Sequence, residues 1–165
     1  MRRPVPERPG PGQESVWDYP RPPRLEEYAG SIVVELGGVE VARATRGWRV
    51  LETSHPPTYY LPRDAFVPGA LREAGGASWC EWKGQASYLD VVGGTALAPR
   101  AAWTYLDPTG GFAPIAGAIA LMAAAMDRCL VDGEVVVPQP GGFYGGWITS
   151  SVVGPFKGIP GSTGW

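Results

Sequence analysis

Cysteine and histidine are scarce in this 165-residue chain: two of the first, Cys80 and Cys129, and one of the second, His55. Two cysteines cannot build a disulfide framework, and with a single histidine they fall short of a four-ligand zinc site of those residues alone. The sequence therefore predicts a metal-independent protein with no resident cofactor. Lysine is nearly missing, with only Lys83 and Lys157, and the 14 cations are interspersed among 16 carboxylates to a net charge of −2. There is no basic stripe to meet a phosphate backbone or an anionic bilayer, so neither nucleic acid nor membrane is an expected partner. No apolar stretch follows Arg2 and Arg3, so no secretory signal is expected. One uncharged run, Pro108 to Met126, reaches spanning length, but its Ala- and Gly-rich interior and Pro114 would drive insertion weakly. The expectation is a cytoplasmic protein with free thiols.

Aromatic side chains are abundant: seven Trp, seven Tyr and four Phe in a chain that is 44% hydrophobic. That apolar content outweighs the disorder tendency of 24 Gly and 18 Pro, and the length suits one domain with a real core. Composition divides the chain into three parts. Residues 1–28 open with seven prolines by position 24 and form an extended arm, whose Trp17 and Tyr19 point to one side and are expected to dock on the body. Residues 29–137 are the body. Residues 138–165 hold eight Gly and four Pro, yet also Phe143, Tyr144, Trp147, Phe156 and Trp165. A linker would not carry five large rings, so this second arm must bury them on the body, against the first arm or on a second copy of the chain in a homodimer.

Inside the body the apolar period is two. Ile32, Val34 and Leu36 alternate with Val33 and Glu35, Gly37-Gly38 turns the chain into Val39–Ala44, and the pair reads as a hairpin. Trp48–Thr53 reads as a third strand and Thr58–Leu61 as a fourth. Ser78–Lys83 and Gln85–Val92 pair across Gly84, and Ala101–Tyr105 and Val131–Val137, split at Asp132-Gly133, complete a mainly antiparallel set. One segment departs from this: Ile115, Ile119, Met122 and Met126 fall on a helical stripe and Ala123–Ala125 favour helix, so the pattern predicts a helix over 114–126.

Several stretches resemble the bacterial domain-of-unknown-function family 427, also filed as nucleotidyltransferase group 9: Leu51–Tyr60, Cys80–Tyr88 and Ala102–Pro108 in the body, with Arg8–Trp17 and Gln139–Ser150 matching a long-tailed subset. The resemblance implies an all-β unit of two antiparallel sheets meeting at an angle, a β-tent arrangement flanked by extended Pro/Gly-rich arms. It also implies a strand and tight turn near 119–126, so that segment stays open between helix and strand-turn. Better-known β-tent proteins often hold zinc on cysteines; those cysteines are missing here, which leaves only the aromatic-walled pocket to carry over.

The chemistry-bearing candidates lie in the same stretches. Glu52 and Lys83 are charges that could anchor a ligand or act as acid and base, against the plainer reading of a cross-strand ion pair. His55, in a Pro-flanked loop, is a third candidate for catalysis. Tyr59, Tyr60, Tyr88, Trp103 and Tyr105 supply amphipathic rings for a flat or apolar ligand, so the expected small-molecule site is Glu52, Tyr59, Tyr60, Lys83, Tyr88, Trp103 and Tyr105. With Ser78–Lys83 read as a strand, Cys80 and Trp82 share the face opposite Lys83, and Cys80 reads as a small hydrophobe. Gly141–Gly146 lacks the Lys-Ser or Lys-Thr of a P-loop, and no carboxylate pair suits magnesium, so nucleotidyl transfer finds no support in these residues. Three readings stand: a metal-independent binding or acid-base site, a nucleotidyltransferase, and a module that assembles through its aromatic arms.

Overall fold

A computed structural model describes residues 3–165. Its strands, in chain order, are β1 (Glu14–Ser15), β2 (Arg24–Leu36), β3 (Val39–Leu51), β4 (Thr58–Tyr60), β5 (Leu71–Cys80), β6 (Gly84–Gly93) and β7 (Ala96–Thr104). After these come β8 (Ala120–Leu121), β9 (Arg128–Val131), β10 (Glu134–Val135), β11 (Val137–Pro138), β12 (Trp147–Ile148) and β13 (Val152–Val153). The protein is mainly β. A five-stranded antiparallel sheet runs β10-β9-β2-β3-β4 and a four-stranded one β5-β6-β7-β8.

The Gly37-Gly38 turn works as the sequence implies, but the hairpin it makes is longer. β2 and β3 are 13 residues each, and the two strands expected at Val39–Ala44 and Trp48–Thr53 are one. Gly47 does not interrupt β3: it lets the neighbouring strand come close, since a Cβ there would sit 2.5 Å from the Tyr60 carbonyl oxygen. The β5–β6 hairpin also differs from expectation. β5 starts at Leu71 and ends at Cys80, and Glu81-Trp82-Lys83 form the turn rather than strand. Thr109 pins that turn, its N–H donating to the Lys83 carbonyl at 3.0 Å and its hydroxyl to the Trp82 carbonyl.

The helix expected over 114–126 is not formed. Gly110–Ile115 and Ala123–Ala125 are short 3-10 turns, and between them Ile119 and β8 run as strand. Ile119 exchanges both backbone hydrogen bonds with Leu61 at 2.8 Å, and β8 pairs with β7. Helix propensity differs by only tenths of a kcal/mol per residue, so those bonds, together with full burial of Ile115, Ile119 and Leu121, decide the conformation. The Leu61–Ile119 bridge also joins the open edge of one main sheet to the edge of the other. Between the sheets lie Ile32, Val34, Val41, Leu61, Val91, Ile119 and Leu121, all shut off from solvent. Among the described residues no helix is long and apolar enough to cross a membrane.

Both arms are held to the body and to each other. β1 pairs in parallel with β13, Trp17 Nε1 donates to the Pro155 carbonyl at 2.9 Å, and the Trp17 and Trp165 rings lie 5.5 Å apart. Val16, Trp17, Tyr19, Leu51 and Val152 form the small apolar cluster beneath them. Beside it Arg49 is buried between Glu14 and Glu26, at 3.1 and 2.5 Å, which ties the first arm to the β2–β3 hairpin.

Candidate functional site

Register alone sets the first two walls of a trough on the four-stranded sheet. Tyr88 of β6 stands opposite Trp103 of β7, so both rings leave the same face. Trp103 Nε1 donates to the Tyr60 hydroxyl at 3.3 Å, bringing in β4, and the Tyr88 hydroxyl meets Ser78 Oγ at 2.8 Å, bringing in β5. Tyr105 continues the line from β7. Burial raises the hydroxyl pKa of Tyr60 and of Tyr105, so both stay neutral hydrogen-bonding groups. The trough has a volume of about 500 Å³.

The second arm supplies the far wall through Gly142, Phe143, Tyr144 and Gly145. Gly145 lies against the Trp103 indole, where any side chain would collide with the ring. Phe143 packs edge-on to Tyr144 at 4.9 Å but is itself 81% exposed, and Trp79 across the opening is 75% exposed, so two large rings form the rim.

Two cations face the trough. Lys83, carried there by the 81–83 turn, places its Nζ 5.7 Å from the Tyr105 ring centre and 5.8 Å from that of Phe112. The turn also overturns the expected opposition of Lys83 and Cys80, since both line the trough. Arg100 is the second cation, and sequence reasoning missed it. Between the pairs Leu89–Ala102 and Val91–Ala98 the β6–β7 register shifts, and in that bulge Arg100 takes a left-handed φ of 51°. The bulge lays its guanidinium over the Tyr88 ring, 4.4 Å from the centre, with Nη1 donating to the Gly75 carbonyl. The available signal was Pro99, which removes a ladder donor from a strand and so marks a bulge or an edge.

Of the site residues expected from sequence, Tyr60, Lys83, Tyr88, Trp103 and Tyr105 come together here, and Glu52, His55 and Tyr59 do not. Tyr59 is buried in the main core, stacked on Trp147 at 5.2 Å and edge-on to Tyr28 at 5.4 Å. Glu52 does not pair with Lys83; it sits 3.2 Å from Arg21 and 3.5 Å from His55 Nε2. His55 lies behind the arm wall, edge-on to Tyr144 at 4.8 Å. Gln139 Oε1 accepts from the Gly146 N–H at 3.0 Å, which orients the amide so that Nε2 donates to His55 Nδ1 at 3.1 Å. Nδ1 is therefore the unprotonated nitrogen and the ring proton is on Nε2, toward Glu52. Burial holds the His55 pKa down, to about 4, against the attraction of Glu52, and Lys157 and Arg21 push the same way as burial. Burial also pushes the Cys129 thiol up to about 12, which makes it inert.

A second cleft of about 340 Å³ opens beside Arg49, edged by Glu14, Glu26, Asp132 and Glu134. Among the described residues no three His, Cys, Asp or Glu side chains gather closely enough to hold a metal ion.

Two packed antiparallel sheets, with an aromatic trough on the smaller one and arms strapped across both, define a mainly-β protein whose most distinctive concave surface is lined by rings. The family model described as Domain of unknown function (DUF427) matches residues 24–132, and the chain belongs to that family. The match runs from the start of β2 to just past β9, so it covers both main sheets apart from the edge strand β10 and leaves outside it the arm segment that walls the trough. No curated protein matches the chain.

Proposed function

We propose that the protein binds a flat small organic molecule in the trough walled by Tyr60, Tyr88, Trp103 and Tyr105. One observation carries the reading: five residues picked out separately on three sequence stretches converge on one concave surface, where Trp103 is hydrogen-bonded to Tyr60 and Tyr88 to Ser78. A ligand there would meet the faces and edges of Tyr60, Tyr88 and Trp103 without having to strip water from their polar ends. Binding without turnover is favoured over acid-base catalysis, because Glu52 and His55, the expected base candidates, line no part of the trough and are engaged with Arg21 and Gln139.

A thermal-shift screen against a metabolite library tests this, since a ligand present at a hundred times its dissociation constant adds about 2.7 kcal/mol of stability. Hits are expected to weaken tenfold or more on Trp103→Ala, by loss of its stacking face, while a Phe156→Ala control on the far cluster leaves them within twofold. Hits that bind the Trp103 variant as tightly as the wild type would place the site elsewhere.

A further inference from the structure

We infer that the trough is selective for organic anions, with Arg100 and Lys83 as its charge anchors. The inference rests on the proposed trough site and adds the class of molecule that enters it. The residues lining the trough include two cations and no carboxylate, although carboxylates outnumber cations in the chain as a whole, 16 to 14. Of the other cations, Arg21, Arg24, Arg43, Arg49 and Arg128 each lie within 4 Å of a glutamate. Neither Lys83 nor Arg100 forms an ion pair among the described residues. Asp90 touches Arg100 only through the backbone, accepting from its N–H at 2.8 Å. An apolar trough with two unneutralised cations and no anion has a field that favours a negatively charged guest.

Arg100 is also aimed. The bulge, the stack on Tyr88 and the Gly75 carbonyl fix the guanidinium plane while engaging only one of its nitrogens, which leaves a fork of N–H donors suited to a carboxylate or phosphate. Lys83 stands at the head of the β5–β6 hairpin, and the Arg100 guanidinium lies over Tyr88, five residues further on, so the two charges are set apart along β6. A flat body with its acidic group on the Arg100 fork would rest on Tyr88 and Trp103 and extend toward Lys83.

Fluorescence titration with a matched pair of probes tests the idea: 8-anilinonaphthalene-1-sulfonate and its neutral counterpart N-phenyl-1-naphthylamine, which has the same rings without the sulfonate. The anionic probe is expected to bind at least tenfold tighter. Arg100→Gln should remove most of that preference, read as the ratio of the two affinities, Arg100→Lys should restore part of it, and Lys83→Met should cost a smaller share. Equal affinity for the two probes, or a preference that survives both Arg100→Gln and Lys83→Met, overturns anion selection and leaves the trough reading standing. Binding of neither probe, or binding of both that survives Trp103→Ala, overturns the trough reading and the anion inference with it.

Discussion

Trp147→Ala is expected to destabilise the protein by about 3–5 kcal/mol, the usual cost of emptying a large aromatic site in a packed core. Trp147 is 1% exposed, stacks on Tyr59 and donates from Nε1 to the Leu121 carbonyl at 3.2 Å. Alanine would leave a cavity between the main core and the second arm and an unpaired carbonyl on β8. Because Gly142–Gly145 directly precede it, the loss should also loosen the far wall of the trough, so probe affinity should fall even in the fraction that remains folded. Denaturant unfolding measures the first effect. Phe143→Ala, at the 81% exposed rim four residues earlier, should change stability by about 0.5 kcal/mol or less. A Trp147→Ala loss below about 1 kcal/mol would mean that the arm is not anchored through this ring.

Acidification should weaken the fold through His55. Its pKa is about 4 in the folded protein and about 6.5 in the unfolded chain, so between those values the unfolded state binds more protons and stability rises with pH. Above pH 7 the effect is absent; as pH falls through 6.5 toward 4 a penalty of up to about 3 kcal/mol accumulates, then levels off. The geometry gives the same direction, because a proton on Nδ1 would face the Gln139 amide N–H group donor to donor. Carboxylates titrate over the lower part of the same range, so the informative quantity is the difference between wild type and His55→Gln in unfolding free energy at pH 7 and pH 4.5. Wild type should lose more than the variant, by about 2 kcal/mol. Parallel curves would show that His55 is protonated without penalty and is not sealed behind Tyr144.

The strands were legible where alternation met a turn residue on each side. Ile32-Val34-Leu36 ahead of Gly37-Gly38 is such a case, and the Tyr88 and Trp103 walls of the trough follow from the two strands that carry them. What could not be read locally was decided by distant partners. Gly47 looks like a strand break until Tyr60 is seen crowding it, and Ala123–Ala125 read as helix because nothing local announces that Ile119 will pair with Leu61. The trough's charge was half legible: Lys83 lay in a noticeable stretch, whereas Arg100 is aimed by a register shift that exists only once β6 and β7 are aligned. Glu52 was expected in the site as one of two charges in the motif stretches, and His55 as a loop histidine, but the chain turns at Pro56-Pro57 and sends both to the opposite side of the second arm.

The seam between β1 and β13 fixes when this protein can be finished. Trp17 and the carbonyl it binds are 138 residues apart, so the ring's lodging is created by residues synthesised long after the ring itself. Closing so long a loop carries an entropic toll that only a preformed body can offset, which puts the seam at the end of the folding order. Until then Val16, Trp17 and Tyr19 stay uncovered on the nascent chain, the state in which apolar segments attract one another or a chaperone. Pulse-labelling hydrogen exchange during refolding should therefore find the Glu14 amide, which donates to Ser151 at 2.8 Å, protected later than the amides of the β2–β3 hairpin.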